Sequence, residues 1–176
     1  MAKIKWILDT AHSEIGFKVK HMMFTNVSGK LQNFNALMET NIDVFENGTV
    51  EFDGAINSLT TNNKDRDAHL MSPDFFDAEQ FPKVTFEATS FIKLDEVNYK
   101  LTGNLTIKGI TQEVTFDTEF SGLLKDPWGK IKTGFIITGK INRKDWGLTW
   151  NAALETGGML VGDDVRLDIN LQFIKQ

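Results

Sequence analysis

The sequence predicts an all-β fold in which antiparallel strands close into a barrel with one short helical insert, and three observations carry that expectation. Apolar and polar residues alternate with a period of two along most of the chain, as they do in a strand with one wet face. Turn-forming pairs such as Asn47-Gly48 and Lys108-Gly109 separate the alternating segments at short intervals. The stretch from Thr60 to Ser90 alone abandons the alternation and concentrates charge, histidine and aromatics. Many strands with one apolar face must bury that face against itself, which leaves a closed up-and-down barrel or a two-sheet sandwich. Isolated glycines inside strand patterns, Gly16, Gly54, Gly103 and Gly139, favour the barrel, because they suit sharp bends or the close approach of another chain or ligand.

Taken in order, Ile15, Phe17 and Val19 alternate with Glu14, Gly16, Lys18 and Lys20 to give the first strand. Val50, Phe52 and Ile56 give another, then Val84, Phe86 and Ala88, then Leu101, Leu105 and Ile107. The two clearest follow: Val114, Phe116 and Phe120 opposite Glu113, Thr115, Asp117 and Glu119, and Val165, Leu167, Ile169, Leu171 and Phe173 opposite Arg166, Asp168, Asn170 and Gln172. Phe135, Ile137 and Ile141 mark one more, with Thr133 and Gly139 on its face. Turns are expected at Asn47-Gly48, Lys108-Gly109 and Asp126-Pro127-Trp128-Gly129. No repeat or linker divides the chain, so residues 1–176 read as one domain.

The insert, expected around residues 62–78, favours a helix from Asn62 to Met71, with Asn62 or Asn63 as N-cap and Asp65 in the first turn. Ser72-Pro73 stops it, because proline disfavours helical geometry in the residue before it. A second helical turn is expected to restart with Ser72 as N-cap and Pro73 at its first position. Leu70, Phe75 and Phe81 would pack down on the barrel rim.

Composition narrows the function. With 14 Phe and one Tyr, the aromatic residues suit an interior without polar partners, either a packed core or an apolar cavity. A net charge of −5 argues against nucleic acid as partner, and the absence of cysteine removes thiol catalysis, disulfides and cysteine metal clusters. No stretch approaches ~18 uninterrupted apolar residues, so no transmembrane segment is expected. The N-terminal residues lack an apolar run followed by a cleavage site. The expected location is therefore cytoplasmic, with the periplasm open if a leader has been removed. Asn26-Val27-Ser28, Asn47-Gly48-Thr49 and Asn104-Leu105-Thr106 match the glycosylation triplet but carry no meaning without export.

Few residues suggest chemistry. His12 and Ser13 are neighbours on a strand and point to opposite faces, so they read as satisfying backbone groups rather than as base and nucleophile. His12, His21 and His69 show no spacing that supports a metal site. His21 precedes Met22-Met23-Phe24, an apolar run for a pocket mouth or a packed turn. Arg66, Asp67 and His69 form the most suggestive cluster, with Asp65 four residues from His69. Either guanidinium and imidazole meet an anionic or polar ligand head, or Asp67 holds Arg66 or Arg143 as a brace between insert and barrel, and the brace is favoured. Lys144, Asp145 and Trp146 beside Arg143 offer the other half of either arrangement. Gly157-Gly158 lacks the strand-to-helix context of a phosphate loop.

Several blocks together resemble the YceI-like family of lipid-binding, lipocalin-like proteins. They are Trp6-Ile7-Leu8-Asp9, HSEIGFKVKH at 12–21, RDAHLMSPDFFDAEQFPKVTFEATS at 66–90, LTGNLTIKGITQEVTF at 101–116, INRKDWGL at 141–148 and VGDDV at 161–165. The pattern RDxHLxSxDFFDxxxFPxxTF followed by GxLTIxGxT is specific, and the blocks span nearly the whole chain. The resemblance implies an extended antiparallel barrel of about eight strands, lipocalin-like, around an apolar tunnel for a polyisoprenoid chain. Family members are often exported to the periplasm, whereas this sequence displays no signal peptide. No catalytic residues come with the family; the polar positions matching its motifs are His12, Ser13, Arg66, Asp67 and His69.

The expected function is thus a non-catalytic carrier of an isoprenoid or similar amphiphile, polyprenyl or quinone-like, with no cofactor beyond that lipid and no metal. Phe17, Val19, Phe52, Phe86, Leu105, Phe116, Phe135, Ile137 and Leu167 are expected to line the interior, and His12, Arg66, Asp67, His69 and Arg143 its polar rim. The rivals are a small-substrate enzyme using His69 and Asp67 at the insert, and a structural barrel packed solid by its phenylalanines. A homodimer is possible through the barrel's edge and the aromatic loop at Trp128.

Overall fold

The computed structural model describes residues 3–42, 44–152 and 160–176. Its strands are β1 (Ile4–Leu8), β2 (Glu14–His21), β3 (Thr25–Leu31), β4 (Phe34–Asn41), β5 (Val44–Ala55), β6 (Leu59–Thr60), β7 (Lys83–Lys93), β8 (Asn98–Ile107), β9 (Ile110–Lys125), β10 (Ile131–Asn142) and β11 (Val161–Lys175). The ladders run β1-β4-β5-β7-β8-β9-β10-β11, and β11 returns to β1 to close an eight-stranded antiparallel barrel. The additional strands arise because three barrel positions are broken in two. The lower half of β11 pairs with β1 (Leu8↔Phe173) and its upper half with β2 (Phe17↔Leu167). Likewise β3 continues into β4, and β5 into β6, which pairs with β3 through Leu31↔Leu59. One rim, here the upper, carries His21, Ala55, Ile107 and Asn142, and the lower carries Asn41, Lys93 and Lys125.

The sequence places no strand at β1, β3 or β4, and each has a reason for hiding. Apolar Ile7 and Leu37 lie on the outer face of β1 and β4 and blur the alternation of Trp6 and Leu8, and of Ala36 and Met38. In β3 only Val27 and Leu31 are large and apolar. The turn expected at Asn47-Gly48 is instead a bulge inside β5. Asn47 takes a left-handed φ of 65°, the β4–β5 register shifts, and a Cβ on Gly48 would stand 2.9 Å from the Phe45 carbonyl oxygen. Lys108-Gly109 does form a two-residue hairpin, both residues at positive φ between paired Ile107 and Ile110. At the other expected turn the Asp126 carboxylate accepts from the backbone N–H of Trp128 and of Lys130, both at 2.9 Å.

Helix α1 (Lys64–Met71) is capped by Asn63, whose side chain accepts from the Arg66 N–H. Ser72 ends it, as expected, but no second helix follows. The N–H groups of Phe76 and Ala78 turn back to the carbonyls of Leu70 and Met71, so the segment closes the end of α1 with turns instead of propagating a new helix. Phe75 is buried, Leu70 and Phe76 pack on the main core, and Phe81 covers Gly109.

The core is uneven along the barrel axis. In the lower half Trp6, Phe45, Phe91, Tyr99, Phe120, Phe135 and Phe173 fill the interior with rings 4.8–6.2 Å apart. Trp6 donates its indole N–H to the Thr40 hydroxyl at 2.9 Å, which satisfies the one polar group of that ring. This aromatic plug seals the lower end.

Between β1 and β2 the break is stitched to β11 by side chains. Ser13 Oγ donates to the Asp9 carbonyl at 2.8 Å and accepts from the Gln172 N–H at 3.0 Å, while His12 Nδ1 sits 2.9 Å from the Asp9 carboxylate. Ser13 thus satisfies backbone groups as expected, whereas the His12 side chain meets a carboxylate, and neither lies on a strand, since Thr10–His12 form a 3-10 turn that Ser13 ends. Burial pushes the Asp9 carboxyl up, but the hydrogen bond and charge of His12, with Lys132 beside it, win and hold it below its ordinary value of 3.8. A carboxylate depressed on folding adds stability that is complete above about pH 4 and is lost as pH falls through the folded value. Asp9→Asn is accordingly expected to lower stability by about 1–2 kcal/mol at neutral pH. In urea titrations the gap to the parent should close below about pH 4; a gap independent of pH would refute the assignment.

Candidate functional site

Above the plug the barrel is hollow. A cavity of about 380 Å³ occupies the upper half, within the range of small-molecule sites. Phe17, Val19, Phe52, Phe86, Leu105, Phe116, Ile137 and Leu167 all line it. Phe135 does not: β10 carries it into the lower half, where it touches Phe45, Phe91, Phe120 and Phe173, so its inward direction is as expected but its height is not.

Glycines keep the hollow open. A Cβ on Gly29 would stand 2.2 Å from Cζ of Phe17, and one on Gly139 2.2 Å from Cδ1 of Phe116. Gly103 meets Phe86 in the same way at 2.5 Å. Each ring packs against a stretch of neighbouring backbone that bears no side chain. The glycines read as bends or close approaches are, at Gly103 and Gly139, close approaches of the wall's own aromatics.

The polar lining gathers at the upper rim: Lys20, His21, Thr61, Arg66, His69 and Arg143. Arg66 donates from Nε to the Thr61 hydroxyl and from Nη2 to the Thr61 carbonyl, both at 2.7 Å. Thr61 in turn donates its N–H (2.9 Å) and its hydroxyl (2.5 Å) to Asp67 Oδ1. Asp67 therefore braces the start of the insert through Thr61, and among the described residues it pairs neither with Arg66, from which Thr61 separates it, nor with Arg143, which bonds carbonyls after β10 and at the start of β11. His69 Nε2 pairs with Asp74 at 2.9 Å, and its ring stands edge-on to Phe75 and Trp150 at 5.1 and 4.7 Å.

Arg143 is only 3% exposed and acts as a clasp. Its guanidinium donates to the carbonyls of Gly162 (2.8 Å), Leu148 (2.5 Å) and Trp150 (3.0 Å), tying the segment after β10 to the start of β11. Burial lowers the pKa of its guanidinium from the ordinary value, and Asp163 at 3.9 Å offsets part of that. Trp146 closes the same corner, donating its indole N–H to the Leu105 carbonyl at 2.9 Å.

His12, expected on the polar rim, is on the outer wall at the β1–β2 break and does not line the cavity. Met22, Met23 and Phe24 form the tip of the β2–β3 hairpin beside His21 at the mouth, and Phe24 is 85% exposed rather than packed into a turn. Trp128 is 83% exposed at the lower rim. Gly157-Gly158 lies outside the described residues. Among the described residues no group of three or more side chains is fit to hold a metal, and no helix is long and apolar enough to cross a membrane. Sequence reasoning missed Thr61, Asp74 and Trp150. Thr61 carried a faint signal as a small polar residue just ahead of the Asn63 cap; the contact of Trp150 with His69 is long-range and left none.

A closed antiparallel barrel, plugged at one end and hollow and apolar at the other, has the lipocalin-like fold. Residues 6–173 match the YceI-like domain, and the chain belongs to that family. A UPF0312 protein of Staphylococcus aureus strain N315 is 43% identical over 168 residues, covering 94% of each chain. Among solved structures, BcnA of Burkholderia cenocepacia has the same fold, with a TM-score of 0.81 at 22% identity over 94% of this chain and 98% of its own. A polyisoprenoid binding domain from Saccharophagus degradans, implicated in plant cell wall breakdown, superposes with a TM-score of 0.68 at 13% identity, covering 96% and 97%.

Proposed function

We propose that the protein is a non-catalytic binding protein that buries the tail of an isoprenoid lipid, polyprenyl or quinone-like, or a similar amphiphile, in the upper half of its barrel. The observation that carries this is the apolar cavity itself, open toward a polar rim and closed below by the plug. Its walls suit a chain with no hydrogen-bonding groups, and each methylene moved there from water contributes about 0.8 kcal/mol. Family membership and the polyisoprenoid-binding name of the Saccharophagus relative support the same reading. An enzyme built on His69 and Asp67 finds less support, since Asp67 is committed to Thr61 and His69 to Asp74. The solid-core reading describes the lower half alone.

Mass spectrometry of organic extracts from protein purified from its own cells tests the proposal. Extractable lipid above a control protein is expected; none, together with no uptake of added polyprenyl compounds, would sink it. A second expectation concerns the rings packed against glycine. Gly29→Ala drives the Phe17 ring into the lumen, so titration with a fluorescent alkyl probe should give weaker uptake, with a stability loss of about 1–3 kcal/mol from overpacking. Unchanged uptake would mean that the ring has another place to go.

A further inference from the structure

We propose that the tip of the β2–β3 hairpin, Met22, Met23 and Phe24, docks the barrel by its mouth on an anionic lipid bilayer. This rests on the tail-binding reading above and adds the surface at which a tail is exchanged. The three side chains are 40%, 64% and 85% exposed. Val19 and Val27, paired across the same hairpin, line the cavity, so one element carries apolar side chains both inside the mouth and beyond it. The turn is built against its own residues. The Phe24 N–H returns to the His21 carbonyl at 3.1 Å, and Met22 and Met23 between them take left-handed φ of 51° and 62°. A turn of this shape ordinarily takes Asn-Gly, because a Cβ is costly at positive φ. Two methionines there give up turn stability and keep long, pliable apolar side chains at the tip.

Charge selects the partner. The chain has a net charge of −5, yet from Ile15 to Met38 it contains Lys18, Lys20 and Lys30 and no Asp or Glu. Lys18 stands in register with Arg166 of β11, and Arg166 with Lys140 of β10, all three exposed on the outer wall. Like charges side by side across strands cost stability unless an anion answers them. Lys30 pairs with Glu14, and Asp164 and Asp163 near the start of β11 are taken by Lys140 and Lys144. Among the described residues no carboxylate comes within ion-pair distance of Lys18, Lys20 or Arg166. With the tip among acyl chains, Lys20 meets the lipid phosphates, and Lys18 with its row lies about 7 Å further along the strand, within one Debye length. Apolar insertion combined with attraction to anionic lipid holds a peripheral element on a bilayer reversibly.

Flotation with vesicles of phosphatidylcholine, alone or mixed with phosphatidylglycerol, tests this. The parent protein is expected to partition onto the mixed vesicles roughly tenfold more strongly, with the margin lost in high salt. Met23→Ser with Phe24→Ser, and separately Lys18→Glu with Lys20→Glu, should each weaken that binding about tenfold. The serine pair should leave uptake of a fluorescent alkyl probe from solution unchanged. Met22→Asn with Met23→Gly supplies the residues the turn prefers, so the melting temperature should rise by about 2–4 °C while vesicle binding falls. Equal partition onto both kinds of vesicle, or undiminished binding by the serine pair, would overturn the docking inference and leave tail binding intact. No uptake of the probe by the parent would overturn tail binding and, with it, exchange at the bilayer. Sedimentation showing a parent dimer that the serine pair turns into a monomer, with no vesicle binding by either, would make the tip a contact between copies and would also overturn it.

Discussion

Phe135→Ala is expected to cost about 3–5 kcal/mol of stability, a drop of roughly 10 °C in melting temperature for a chain of this size. The ring is buried in the plug, with Phe45, Phe120, Phe91 and Phe173 at 5.6, 5.7, 5.9 and 6.2 Å between ring centres. Its removal leaves a void that these neighbours, themselves held by Trp6 and Tyr99, cannot collapse to fill. Phe17→Ala makes the informative contrast. Its ring already borders open space and rests on Gly29, so truncation enlarges an existing cavity and forfeits fewer contacts. Urea unfolding of the two variants should give a loss for Phe17→Ala less than half that for Phe135→Ala. Equal losses would mean that the barrel is packed evenly and that the division into plug and hollow is wrong.

Phe116→Asp has the largest expected effect on uptake. Phe116 lines the cavity against Gly139, with the Phe86 ring 6.0 Å away, and its neighbours among the described residues of that wall are apolar. An acid placed there either brings water into the lumen or stays protonated at a cost, and both outcomes remove the apolar surface that a tail would occupy. Binding of an alkyl probe should weaken at least a hundredfold, about 2.7 kcal/mol. Phe17→Asp, nearer the mouth, tests the same wall with less risk to the fold, and circular dichroism separates lost binding from lost structure. Near-normal uptake by both variants, once folded, would show that the tail does not lie along these strands.

Much of the barrel was legible because one physical rule wrote it. Strands β2, β7, β8, β9, β10 and β11 each have a wet outer face, so their inward residues stand out by alternation, and most of the cavity wall follows from that alone. Where the outer face is also apolar, at Ile7 and Leu37, the rule is silent and β1 and β4 go unseen. Asn47-Gly48 is the converse case, since the same pair that makes a hairpin turn also makes a bulge, and only the partner strand decides which. The helix was readable from its caps, whereas the chain beyond Ser72 was not, because its hydrogen bonds return to α1. Height along the barrel axis has no sequence period at all. That is why Phe135 and Ile137, two residues apart on one face, could not be assigned beforehand to plug and cavity.

The plug has a consequence for how this fold changes over time. Because the packing that most constrains the chain is concentrated in the lower half, substitutions around the lumen act mainly on contents and little on whether the barrel assembles. A lineage can therefore reshape the lumen one wall residue at a time while foldability is safeguarded elsewhere in the same molecule.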